Sequence, residues 1–363
     1  MDENRIFIKI FLLECLTFIC LILIFIIKTP KTKKTRNSKK FNLTKGKNHE
    51  KEFISDSTKN NLSHLNYEPI SKGKNMIPIA YSTDNNFLYP TLVSITSLLE
   101  TIKYNETFYD IYIMISNDFE KNNKDILESV QKHYPGKCKI NFIEMGNMFK
   151  EQKVLPESKY YRLALHDKLP NIKKIIYLDG DTMIFEDLTE LFNLNMSGYY
   201  ILGFLDSIIN DVEKYGIQNA VVLCTGVLLM DLKCLRKFNS TGKFKEFMES
   251  HGNQFDKADQ NVINAVLHGH LYTLPPKYGM WGFDLYGHAQ LHNNVQRDWL
   301  KYNVTELEEA FKHPAILHYV ASKPFKDTKA PYFDIWWNYA NKTGYYESIH
   351  NYWLNRLNQT TLK

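Results

Sequence analysis

Neither of the glycine-rich phosphate loops, GxGxxG or GxxxxGK[ST], occurs in this chain of 363 residues. A phosphate bound here would have to be held by something other than a glycine cradle. Cysteine is also sparse, with five residues and no CxxC pair, which argues against a zinc site and against a disulfide scaffold. Cys15 and Cys20 fall in an apolar run, and Cys138, Cys224 and Cys234 are expected as buried thiols. There is no internal repeat. Most of the chain lacks excess positive charge: residues 1–75 carry 15 Lys/Arg against 7 Asp/Glu, and the other 288 carry 30 against 33. The net charge of +5 is therefore an N-terminal property, and the globular part has no basis for binding nucleic acid.

What is present begins with core material, since 44% of residues are hydrophobic and 14% aromatic. Ile10–Ile27 holds Glu14 as its one charge and is just long enough to cross a bilayer. Lys28-Thr29-Pro30 follows instead of small residues, so residues 1–27 read as a cytosolic tip and uncleaved signal anchor. Residues 28–75, rich in Lys, Asn, Ser and Thr, read as a flexible basic stem. Two signals oppose each other on orientation. Seven basic residues between Lys28 and Lys40 favour a cytosolic C-terminal side. Eight Asn-x-Ser/Thr sequons, at Asn42, Asn61, Asn105, Asn195, Asn239, Asn303, Asn341 and Asn358, favour a glycosylated lumenal domain. The sequons decide the expectation: a single-pass type II protein of the Golgi or ER membrane, with residues 76–340 as a lumenal domain and 341–363 as a C-terminal tail.

Within 76–340 strands and helices alternate. "MIPIAYS", "DIYIMIS", "KINFI" and "KKIIYL" have strand patterns, with "LYPTLVSITSLLETI", "NNKDILESVQKHY" and "SKYYRLALHDKL" as helices between them. That alternation predicts an α/β fold with a mainly parallel sheet flanked by helices, which binds ligands beyond the carboxyl ends of its strands. The later part is more mixed: "YYILGFLD", "VVLCTGVLLMDL", "LYTLP" and "AILHYV" as strands, "ADQNVINAVLHG" as a helix.

The chemistry centres on "KKIIYLDGDTMIFEDL", where Asp179 and Asp181 close an apolar strand. As a surface turn the pair would be ordinary. As a calcium loop it fails, because Met183 and Ile184 stand where an oxygen ligand and a glycine are needed. As the opening motif of haloacid-dehalogenase-like phosphatases it fits, but no later strand ends in an acidic pair. As a divalent-metal clamp it needs a third ligand and a cation, and "HPAILHYVASKPF" supplies His318 and Lys323. Two carboxylates with an imidazole suit Mn²⁺ better than Mg²⁺. Such an ion bridges phosphate oxygens, and Lys323 adds a point charge to the same anion.

These segments together resemble the retaining family 8 glycosyltransferases, the group of glycogenin and the bacterial lipopolysaccharide glucosyl- and galactosyltransferases. The resemblance runs from about Ile77 to Phe325. It implies a GT-A fold with a smaller mixed C-terminal part, a UDP-sugar donor, Mn²⁺, and a glycan or glycoprotein acceptor. "YSTDNNFLYPTLVSITSLL" implies a nucleotide site of Ser82, Asp84, Asn86 and Phe87, although Asp and Asn also open helices for local reasons. Arg162 matches an arginine near the donor sugar; the alternative is an exposed helix arginine. Asp179, Asp181 and His318 match the metal ligands, and Lys323 the diphosphate lysine. "DKADQNVINAVL" matches Asp-Gln-x-x-x-Asn, implying donor-sugar binding by Asp259 and Gln260 and a front-face role for Gln260; a helix N-cap is the local alternative for Asp259. With no second nucleophilic carboxylate apparent, front-face transfer is expected over double displacement. Three positions depart from the family pattern: Cys224 for Asn, Ala321 for Gly and Phe325 for Trp. The first puts the sugar in question and the second adds a methyl beside the diphosphate. The expectation is thus a retaining hexosyltransferase. A catalytically weak UDP-binding relative and a phosphatase remain as alternatives. "KYGMWGFDLYGHAQLHNN" offers aromatics and histidines either for an acceptor platform or for core filling.

Overall fold

The structure, a computed structural model, describes residues 75–361 apart from 153–155, 207–209, 218–220, 252–254, 256, 282–301, 303 and 321. The expected anchor and nearly all of the stem lie outside the described residues. Among the described residues, no helix is long and apolar enough to cross a membrane.

Ten strands form among the described residues: β1 Asn75–Ser82, β2 Thr107–Ile115, β3 Cys138–Glu144, β4 Lys174–Asp179, β5 Thr182–Ile184, β6 Ile201–Leu205, β7 Leu223–Asp231, β8 Leu271–Thr273, β9 Tyr278–Trp281 and β10 Ile316–His318. Seven make one sheet in the order β3-β2-β1-β4-β7-β6-β8, and three make a second in the order β5-β10-β9. The strands β1 to β4 are parallel to one another, while β7 runs antiparallel to both β4 and β6. The sheet is thus parallel in its first half and mixed in its second, as the change in sequence pattern after Asp181 suggested.

β1 is apolar along almost its whole length because both faces are covered. The helix Leu88–Glu100 lies on one face and is buried nearly all round. Its hydroxyls bond to the strands instead of to water: Ser94 Oγ lies 3.2 Å from Tyr81 Oη and 2.9 Å from Thr182 Oγ1, and Ser97 Oγ accepts the Ile184 N–H at 3.0 Å. The opposite face carries the segments around Tyr160–Leu165 and the helices Ser240–Ser250 and Asp259–Val266. "SKYYRLALHDKL" is not one helix. Glu157–Ala164 is 3₁₀ and a single α turn, Leu165–Lys168, follows. The 3₁₀ segment buries five residues in succession, Tyr160 to Ala164.

Among the described residues three cysteines are free, with Cys138 and Cys224 buried and Cys234 only half-buried. Residues 341–363 include the helix Tyr346–Thr361, whose Ile349 is fully buried against the cluster that also holds Phe325 and Trp336.

Strand order reverses between β1 and β4: β2 and β3 extend to one side of β1, and β4 lies on the other. The crevice beyond such a reversal is where open α/β sheets bind ligands. Ser82 at the end of β1 is in register with Asp179 at the end of β4.

Candidate active site

Strand ends bring the distant ligands together. Asp179 is the last residue of β4 and Asp181 precedes β5. β10 pairs antiparallel with β5 so that His318 faces Thr182, and the Tyr319 N–H donates to the Asp181 carbonyl at 3.0 Å. One ligand atom from each of Asp179, Asp181 and His318 lies within 4.8 Å of the others. Gly180 between the aspartates is required by space, since a Cβ there would run into Thr91 Oγ1 and the Phe87 ring.

Each carboxylate is held by one oxygen and offers the other. Asp179 Oδ1 accepts from Arg162 Nη2 at 2.8 Å and Tyr177 Oη at 2.9 Å, while Oδ2 lies 3.6 Å from His318 Nε2. Asp181 Oδ2 accepts from Lys323 Nζ, and Oδ1 lies 3.3 Å from His318 Nε2. Burial alone would raise the Asp181 pKa, but Lys323 and His318 outweigh it and hold the carboxyl well below the usual range. Burial opposes charge on His318 as well; the Cys224 sulfur and Asp181 override it and push the imidazole up to about 10. A proton on His318 thus does the neutralising that a cation would do. Two carboxylate oxygens and an imidazole nitrogen, all facing one another, fit a divalent ion of the Mn²⁺ type.

Arg162 is a buried hub and not an exposed helix arginine: its side chain is 5% exposed. It donates to Asp179, to the Thr225 carbonyl and, through Nε, towards Asp259 Oδ2 at 3.1 Å, and its guanidinium lies 4.3 Å from the Tyr177 ring centroid. Burial would lower its pKa, and the two aspartates more than offset this. Asp259 opens the helix Asp259–Val266 as its first residue and not as its cap. Burial pushes its carboxyl up to about 6 against the opposing charge of Arg162, and Thr225 Oγ1 donates to it at 2.9 Å.

Gln260 Nε2 donates to Asp206 Oδ2 at 2.5 Å, and Lys257 Nζ lies 3.1 Å from the same oxygen. The amide is thereby turned in a fixed sense. Asp84 Oδ1 accepts the N–H groups of Asn86 and Phe87 at 2.9 and 3.0 Å, the local role its place before a helix suggested, and Oδ2 accepts from Ser158. Ser82 Oγ donates to the Ser158 carbonyl at 2.5 Å, Asn86 is exposed, and Phe87 meets Phe325 edge-on at 5.7 Å. Lys323 is in place, whereas Ala321 lies outside the described residues.

Sequence reading passed over four residues of this site. Asp206 directly follows β6, as the last residue of the strand pattern "YYILGFLD". Thr225 and Gly226 sit in an irregularity of β7, where pairing with β6 jumps from Gly203–Leu228 to Phe204–Cys224. A lone glycine within an apolar strand was the available signal. Nothing in the sequence marked Tyr177. Of the proposed acceptor platform, Tyr278 and Met280 are buried core residues and 282–294 lie outside the described residues.

The glycosyl transferase family 8 model matches residues 78–329. The chain belongs to that family. It is a glycosyltransferase, and the phosphatase alternative is not favoured. General stress protein A of Bacillus subtilis is 27% identical over 250 residues, covering 63% of this chain and 82% of its own length. The lipopolysaccharide 1,2-glucosyltransferase of Escherichia coli is 26% identical over 212 residues, covering 55% of this chain and 61% of its own. Among solved structures, the galactosyltransferase LgtC with donor and acceptor sugar analogs superposes with a TM-score of 0.62 at 19% identity, covering 73% of this chain and 96% of that one. The bifunctional glycosyltransferase WbbM reaches the same TM-score, 0.62, at 17% identity, with 52% of its length covered. These structures share the GT-A-like fold.

Proposed function

We propose that this glycosyltransferase moves a hexose, glucose or galactose, from a UDP-sugar to a glycan or glycoprotein acceptor with retention of configuration. The observation that carries this reading is the three-atom set of Asp179 Oδ2, Asp181 Oδ1 and His318 Nε2, with Lys323, five residues beyond β10, beside it. Asp179, Asp181 and His318 would hold Mn²⁺. When bound, that ion would supply positive charge to a departing diphosphate. Lys323 adds an ammonium to the same anion. Arg162 holds Asp179 and Asp259 fixed in a buried setting, so that Asp259 can accept hydrogen bonds from sugar hydroxyls. Gln260, oriented by Asp206, presents its amide to the front face of the sugar, where a small positive charge develops as the leaving group departs. Ser82, Asp84, Asn86 and Phe87 line the switch point beside β4 and supply the base and ribose contacts.

Calorimetry tests the reading: UDP should bind in the presence of Mn²⁺ and lose at least tenfold in affinity with chelator. Equal affinity in both conditions would count against the metal clamp. UDP binding without turnover of any donor would favour the weak-relative reading, which Cys224 motivates. The membrane placement is a separate proposal: a type II protein with its globular part in the lumen of the Golgi or ER, supported by the apolar run Ile10–Ile27 and the eight sequons. In sealed microsomes the globular part should resist external protease; its digestion without detergent would reject that orientation.

A further inference from the structure

We propose that Cys224 is a positioning residue for the metal-ligating imidazole, holding His318 by Nδ1 so that Nε2 is presented to the two aspartates. This rests on the divalent-metal reading of the site. A neutral imidazole binds a cation through one nitrogen and carries its proton on the other, and the partner of that second nitrogen fixes the tautomer and the ring orientation. His318 Nε2 faces Asp181 Oδ1 at 3.3 Å and Asp179 Oδ2 at 3.6 Å. On the far side of the ring, Nδ1 meets Cys224 Sγ at 3.6 Å. Both residues are buried, each 6% exposed, so water is a poor substitute for the sulfur.

β7 is built for this contact. Its irregularity against β6 covers residues 225–227, directly after Cys224. Gly226 then lies flat under the imidazole: a Cβ on Gly226 would fall within 2.6 Å of His318 Nδ1 and Nε2. Thr225, between them, turns the other way and bonds to Asp259. Three consecutive residues thus serve the two halves of the site, with Cys224 at the edge of the ring, Gly226 at its face and Thr225 on the sugar side. A sulfur accepts a hydrogen bond weakly, yet that bond favours the tautomer that carries its proton on Nδ1. The other tautomer would direct an N–H at the carboxylates and leave a lone pair facing the sulfur. Bound to a cation, His318 keeps its proton on Nδ1 and donates it to Sγ.

The test is the dissociation constant for Mn²⁺ alone, read in the full chain from the electron paramagnetic resonance of the free ion. Four proteins are compared: the unmodified chain, Cys224→Ala, Cys224→Val and Cys224→Ser. Valine keeps the volume without an acceptor, and serine keeps an acceptor. Loss of an outer partner costs roughly 10- to 100-fold in metal affinity. Weakening of that size is expected for Ala and Val, with Ser restoring most of it and melting temperatures not following the same order. Equal Mn²⁺ affinity in all four would overturn the positioning role while leaving the metal site standing. Affinity that tracks melting temperature would overturn it in favour of packing. If the unmodified chain binds no Mn²⁺, the metal reading falls and this inference falls with it.

Discussion

At the scale of single residues, the site is a set of charges that neutralise one another under burial. Arg162 is the clearest case, because its guanidinium serves Asp179 and Asp259 at once. Removing one partner of a buried pair leaves charge uncompensated and costs about 3–5 kcal/mol. Arg162→Ala is therefore expected to lower the unfolding free energy, read from urea denaturation, by that order and to abolish donor turnover, whereas loss of turnover with unchanged stability would show the pairs to be weak. His318 gives a pH dependence. Its metal-free imidazole titrates near 10, above the ordinary value, so it is protonated at pH 7 and must lose that proton to bind an ion. Mn²⁺ affinity should rise as pH climbs from 6 to 9, with close to one proton released per ion at pH 7. Calorimetry in two buffers of different ionisation enthalpy counts that proton.

His166 works in the opposite direction. Burial holds its pKa below the ordinary 6.5, so the unfolded chain takes up the proton more readily than the folded one. The folded state loses nothing above that value and loses stability as pH falls below it, until the folded-state pKa is reached. His166→Gln should flatten the fall in urea midpoint between pH 7 and 5.5. An unchanged slope would assign the acid sensitivity elsewhere.

At the scale of elements, three strand ends make the centre: β4, β10 and the irregular β7. The first two were legible. An apolar run ending in Asp-x-Asp and another ending in His are local patterns, and the strand periodicity fixed where the side chains emerge. The third was not, because a register jump is a property of two strands together, and "CTGVLL" alone shows only that a glycine interrupts an apolar strand. Arg162 was legible as a residue but not in its burial, since the 3₁₀ coil that sinks Tyr160 to Ala164 follows from tertiary packing and not from periodicity. Gly226→Ala tests the β7 geometry. The added methyl coincides with the imidazole, so the variant should remain folded, at a cost of about 1–3 kcal/mol, and bind Mn²⁺ at least tenfold more weakly. Undisturbed Mn²⁺ binding would mean that His318 does not depend on that glycine.

At the scale of the whole molecule, the parallel half and the mixed half of the sheet divide the work. β1 leads into the turn that holds Asp84 to Phe87 and β4 ends at Asp179, while the end of β6, β7 and the helix Asp259–Val266 bring Asp206, Thr225, Asp259 and Gln260 to the proposed site. The α/β class and the parallel character of its first half could be read from alternating patterns, whereas the strand order could not, because it depends on which strands pair across the sheet. The packing of the C-terminal segment could not, because Ile349 joins a cluster with Trp336 and Phe325, and the Tyr352 hydroxyl donates to the carbonyl of Asn86, a residue far away in the chain.

The central claim is that this arrangement releases UDP from a UDP-hexose with the help of a divalent ion. The direct measurement is UDP release by the purified chain from UDP-glucose, UDP-galactose and other UDP-sugars, with Mn²⁺ and with chelator. Release from one hexose donor that disappears with chelator is the expected result. No release from any donor by protein shown to be folded, or release indifferent to chelator, would contradict it.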